Sequence, residues 1–182
     1  MINLPTLITL SRFIFAIVVA LLLCIDSNVA ILLAVIMFSA GSISDFLDGA
    51  IARKRSNHSR FGAFIDPVAD KFLVFIVLLS LIYNRDSLAL FIISSLLISR
   101  EIFVMSLREW MATAQESSSV KVSGLAKIKT FIQMSGICLV IGSPLTTLSY
   151  FNEASLSILL IGVIIGFYSA FKYFYNSIKY LT

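Results

Sequence analysis

The sequence predicts an all-α integral membrane protein, a bundle of six transmembrane helices, and three observations carry that prediction. Mean hydropathy is +0.99 and only 13% of the 182 residues are charged, far outside the range of water-soluble domains. The chain breaks into apolar runs of roughly 20 residues, the length a helix needs to cross a hydrocarbon layer of about 30 Å. The polar breaks between the runs alternate between rich and poor in Lys and Arg, as loops on opposite sides of a membrane do.

The six runs read as 6–25, 28–51, 61–83, 88–110, 125–145 and 154–176. They leave no length for a separate soluble domain, so residues 1–182 are expected to form a single transmembrane domain. The first run carries Asn3, Pro5, Thr9 and Arg12 near its start. Its apolar core is longer than the h-region of a secretory signal and no small-residue cleavage site stands out, which predicts a retained helix. For Asn3, Thr9 and Arg12, a nucleotide or headgroup contact competes with helix capping and surface anchoring. The second run ends in "DFLDGAIAR". The third follows the basic loop "RKRSNHSR" and contains Pro67, which interrupts backbone bonding between Asp66 and Asp70 and so influences where those carboxylates point.

The fourth run holds Arg100, Glu101, Arg108 and Glu109. Two readings compete there: binding of an anionic substrate by the arginines, or structural ion pairs and interfacial anchors. The fifth follows the biased linker "TAQESSSVKVSG" and opens with Lys127 and Lys129, for which positive-inside anchoring competes with phosphate binding. The sixth ends near Lys172 and Lys179. Cys24 and Cys138 fall in different runs, with no CxxC spacing and no clustered histidines, so they are expected to pack rather than bind zinc.

Basic residues concentrate in the 53–60 loop, the 108–129 connection and the C-terminal end, whereas 26–28 and 143–153 have none. This alternation predicts an even number of crossings with both termini in the cytoplasm. The net charge of +4 is then explained by topology and anionic lipid headgroups rather than by nucleic acid.

Asp45 and Asp48 stand at i and i+3 near the end of the second run, and Gly62, Asp66 and Asp70 at i, i+4 and i+8 in the third. Each set shares one helical face. Four ionised carboxylates brought together would repel one another, so protons or cations must compensate. Hard divalent ions prefer such oxygen ligands, and two helices could hold two of them roughly 4 Å apart. Gly49 and Gly62 remove side chains where a diphosphate or a neighbouring backbone could approach, Ala52 keeps the face narrow, and Arg53 follows as a phosphate partner.

The pattern Asp45-x2-Asp48-Gly49-x2-Ala52-Arg53-x8-Gly62-x3-Asp66-x3-Asp70 resembles the signature of the CDP-alcohol phosphatidyltransferase family at all of its fixed positions. The resemblance implies a six-helix membrane enzyme, usually a homodimer, that moves a phosphatidyl group from CDP-diacylglycerol to an alcohol and releases CMP. It further implies that Asp45, Asp48, Asp66 and Asp70 hold two divalent cations, Mg²⁺ or Mn²⁺, with Asp70 as general base. By the same analogy Gly49, Ala52, Arg53 and Gly62 bind CDP-diacylglycerol. The segments "NLPTLITLSR", "FGAFIDPVADK", "SREIFVMSLREWMA" and "SVKVSGLAKIKTFIQM" are similar to bacterial members that use sn-glycerol 3-phosphate. That acceptor would need cations for its phosphate, and Arg100, Arg108, Lys127 and Lys129 are the candidates. The expected setting is a bacterial cytoplasmic membrane, with the site on the cytoplasmic side. Inositol phosphate or phosphatidylglycerol as acceptor, and a divalent-cation or proton transporter built on the same acids, are the alternatives.

Overall fold

In a computed structural model, residues 4–52, 60–113 and 124–178 are described. They are helical almost throughout, with no strand among them. The helices are α1 (Leu4–Leu23), α2 (Asn28–Ala52), α3 (Arg60–Asn84), α4 (Leu88–Thr113), α5 (Gly124–Gly142) and α6 (Phe151–Ile178). Four helical stretches, Pro67–Asn84, Leu88–Ala112, Ile128–Leu145 and Phe151–Ile178, are long and apolar enough to cross a membrane, and Leu10–Leu23 and Asn28–Ser44 are shorter apolar stretches among the described residues. Pro67 is accommodated inside α3, although it cannot donate to the carbonyl four residues earlier.

The chain packs as two compact units, one of residues 1–86 and 138–149 and the other of residues 87–137 and 150–182. In the first, α1 packs against both α2 and α3. Its buried stripe is Arg12, Ala16 and Val19, the i, i+4, i+7 spacing of one helical face. The buried stripe of α2 is Ala30, Ala34, Phe38 and Gly41, and that of α3 includes Ala69, Leu73, Val77 and Leu81. The rings of Phe13 and Phe72 meet at 4.9 Å and 45°. A Cβ at Gly41 would stand 3.2 Å from Leu73 Cδ2 and 3.7 Å from Phe15 Cβ, so the three helices approach closely at this level.

The first unit closes at its other end around Arg85. Helix α5 gives way to a 3₁₀ turn, Ser143–Leu145, because Pro144 has no amide to continue the α-helical ladder. The Ser143 hydroxyl donates to the Val140 carbonyl at 3.1 Å. Arg85 donates from Nη1 to Ser143 Oγ at 2.6 Å and from Nη2 to the Ile141 carbonyl at 3.1 Å. Carbonyls that a helix end leaves without partners are thereby satisfied by a cation, which also suits the negative end of the helix dipole. Burial draws the Arg85 pKa below its ordinary value through desolvation. Bonds to a charged donor contribute about 1.5–3 kcal/mol each. Arg85→Met is therefore expected to lower the thermal midpoint by several degrees, and Arg85→Lys to recover part of the loss, as read by scanning fluorimetry in micelles.

In the second unit α4 packs against α6. Val104 and Leu107 meet Ala170 and Tyr173 in a buried cluster, flanked by Phe103 and Phe174 with ring centroids 5.9 Å apart. The first part of α5 lies against α6 through glycines. A Cβ at Gly136 would stand 2.9 Å from Leu159 Cα, and one at Gly162 would stand 2.8 Å from Gln133 Cγ. Small residues allow this backbone approach between apolar helices, where van der Waals packing supplies the attraction.

Candidate functional site

Asp45, Asp48, Gly49 and Ala52 stand on the last turns of α2, and Gly62, Asp66 and Asp70 on the first three turns of α3. Arg53 lies outside the described residues, as does Asn3. The spacing of Ala34, Phe38 and Gly41 on α2 carries the same helical face on to positions 45 and 48. On α3 the spacing of Leu81, Val77 and Leu73 carries that face back to positions 70 and 66. The two helices that carry the aspartates thus both pack on one helix, α1; the side chains of Asp45, Asp48, Asp66 and Asp70 themselves lie outside what the structure describes. An all-oxygen donor set of this kind suits a hard divalent cation.

Arg12 is 2% exposed. That burial removes both surface anchoring and helix capping as its role, since either needs access to water or to a helix terminus. The side chain belongs to the interior of the first unit.

In the second unit, the structure forms the Arg100–Glu101 ion pair that the sequence offered as one of two readings, and it brings Lys129 to the same carboxylate. Arg100 Nη1 donates to Glu101 Oε1 at 2.6 Å, and Lys129 Nζ donates to the same oxygen. Arg100 Nε also donates to the Gly166 carbonyl at 2.9 Å, tying α4 to α6. Arg100, Glu101 and Lys129 are 4–5% exposed, so none of them is a solvated anchor. The three charges sum to +1. Nε and Nη1 of Arg100 are both engaged in these bonds. Beside them Gln133 Nε2 makes a long bond of 3.5 Å to the Gly162 carbonyl.

Arg108 stands two turns beyond Arg100 on α4 and is exposed. Its guanidinium carbon lies 5.5 Å from the centre of the Tyr173 ring, within the range of a cation–π contact. Lys127 stands in the first turn of α5. Glu101 and Tyr173 are the residues of this unit that the sequence did not offer as site components. Only the charge of Glu101 hinted at its part, and nothing marked Tyr173 among the other aromatics.

The profile of one protein family, described as CDP-alcohol phosphatidyltransferase, matches residues 2–168. CDP-diacylglycerol–glycerol-3-phosphate 3-phosphatidyltransferases of Salmonella choleraesuis (strain SC-B67) and Escherichia coli (strain K12) are 33% identical to the chain over 171 residues, 94% of this chain and 92% of theirs. The enzyme of that name from Shigella flexneri serotype 5b is 32% identical over 180 residues, 99% of this chain and 93% of its own. With its aspartates on two helices that share a packing partner, and with matches of this extent, the chain belongs to the CDP-alcohol phosphatidyltransferase family.

Proposed function

We propose that the protein transfers the phosphatidyl group of CDP-diacylglycerol to sn-glycerol 3-phosphate, giving phosphatidylglycerophosphate and CMP in phospholipid biosynthesis. The observation that carries this reading is the 33% identity, over 94% of the chain, to enzymes named for that reaction. In this reading residues 1–182 are one catalytic domain with six crossings. It sits as a homodimer in a bacterial cytoplasmic membrane, with both termini and the site facing the cytoplasm.

Asp45, Asp48, Asp66 and Asp70 hold two divalent cations, Mg²⁺ or Mn²⁺. Cations bound there supply neutralisation of the diphosphate and of the charge on departing CMP. Gly49 and Gly62 leave room for the diphosphate of CDP-diacylglycerol, Ala52 keeps the face narrow, and Arg53 donates to phosphate oxygens. Asp70 takes the proton of the acceptor hydroxyl as that oxygen bonds to the β-phosphorus and the bond from this phosphorus to CMP breaks. Arg100, Arg108, Lys127 and Lys129 bind the phosphate of the acceptor. Glu101 offsets one of the two charges of Arg100 and Lys129. A group with net charge +1 still attracts an anionic acceptor and repels a cationic one such as choline.

The test is CMP release from CDP-diacylglycerol by the purified protein in micelles with Mg²⁺. Glycerol 3-phosphate, inositol phosphate, serine and phosphatidylglycerol are supplied in parallel. Release with glycerol 3-phosphate alone is expected. Turnover with another acceptor would keep the chemistry and discard the substrate. Silence with all four, from folded protein, would discard the transferase reading in favour of transport.

A further inference from the structure

Arg12 is among the largest fully buried side chains of the protein, in a helix that packs against both aspartate-bearing helices. Contacts of the first unit set its level. Phe13 stacks with Phe72, and Phe15 and Leu73 both border Gly41. At the opposite end Asn84 Nδ2 lies 3.8 Å from Cys24 Sγ, so α1 and α3 run parallel. The short connection Cys24–Ser27 turns α2 antiparallel to α1. One helical turn from the Phe15–Gly41–Leu73 level, moving toward the start of α1, are Arg12 on α1, Asp45 on α2 and Asp70 on α3.

A buried guanidinium is costly without a nearby counter-charge, and clustered carboxylates are costly without cations. Asp48 and Asp66 stand about one further turn along α2 and α3, beyond the level of Arg12. The acids of this unit outside the motif, Asp26 and Asp86, are exposed and stand at the end where α1 and α3 finish. We infer that Arg12 is the resident counter-charge of Asp45 and Asp70, a positioning residue that holds the two helix ends together while the carboxylates carry no metal. The inference rests on the proposed role of the four aspartates as metal ligands. It gives the cluster a second source of positive charge, supplied by α1 and present at all times. Divalent cations entering the cluster then share its negative charge with Arg12, and they stabilise the protein most when Arg12 is missing.

The experiment is thermal unfolding of the full-length protein in micelles, in EDTA and in saturating Mg²⁺, followed by the fluorescence of Trp110. The variants are Arg12→Gln, Arg12→Lys, and Arg12→Gln combined with Asp45→Asn or with Asp70→Asn. Arg12→Gln is expected to lower the midpoint in EDTA by about 10 °C, the scale of a broken buried ion pair in a chain of this length. Mg²⁺ should restore most of that loss, Arg12→Lys should lose less, and at least one double variant should regain stability in EDTA. Should Arg12→Gln fail to fold, the charge-matched double variants and Arg12→Lys carry the same comparison. An equal loss in EDTA and Mg²⁺, with no recovery in either double variant, would overturn the inference and leave Arg12 a packing residue. Recovery in a double variant, with no response to Mg²⁺ in any form of the protein, would uphold the ion pair and count against the metal reading alone.

Discussion

Asp70→Asn is expected to reduce the rate of CMP release by at least about 100-fold, the lower end of what a positioned general base contributes. Asparagine has nearly the same size and retains an acceptor oxygen, but it cannot take a proton at neutral pH. The position belongs to the third turn of α3, within a helix that continues through fourteen further residues to Asn84, so the backbone needs no rearrangement to hold the amide. A base acts as the acceptor hydroxyl loses its proton, which places the loss in kcat more than in the KM for CDP-diacylglycerol. Steady-state assays over both substrates separate the two. A kcat within tenfold of the unmodified protein would remove Asp70 from the role of base.

Gly136→Val is expected to cause a large loss of stability. A Cβ at this position meets Leu159 Cα at 2.9 Å and Leu159 N at 3.0 Å. These are backbone atoms of a neighbouring helix, which cannot rotate aside as a side chain can. The two helices must separate, and overpacking of this kind costs about 1–3 kcal/mol, or more where backbone is involved. For a chain of this size that corresponds to a midpoint lower by about 5–10 °C. Gly142→Ala is the control within the same helix. Its Cβ would stand 3.4 Å from Val35 Cγ2, a side-chain methyl group, and its backbone already has right-handed helical angles. Similar losses in both variants would show that the Gly136 contact is not special.

The helices themselves were legible because hydrocarbon imposes a length on every crossing. The run read as 28–51 is α2 (Asn28–Ala52), and the run read as 61–83 is α3 (Arg60–Asn84). The ends differ where local chemistry intervenes. The run read as 125–145 stops being α-helical at Gly142, where Pro144 converts the remainder to a 3₁₀ turn. Helix α6 begins at Phe151 rather than 154, taking in Glu153, which suits the positive end of the helix dipole.

The candidate site divides in the same way. The aspartates could be read because their spacing within each helix is a local property. The joining of Lys129 to Glu101 could not, since they stand 28 residues apart on successive helices and no periodicity links one helix to the next. Arg12 shows the same limit. From its position near the start of an apolar run, capping, surface anchoring and a nucleotide or headgroup contact were the readings on offer, and its burial appears only once α1 is packed against α2 and α3.

The bonds around Arg100 also bear on how the protein is made. Arg100 and Glu101 enter the membrane together on α4 as a neutral pair, which lightens the burden of placing charge in lipid. Their remaining partners come later in synthesis. Lys129 arrives with α5, and the carbonyl of Gly166 arrives only when α6 is more than half complete. Until the ribosome has delivered that last helix, the guanidinium lacks one of its acceptors and α4 lacks its packing partner. Synthesis of α6 is therefore the event that locks the second unit, and a chain cut short within α6 would present cellular quality control with an incompletely satisfied arginine in an apolar helix.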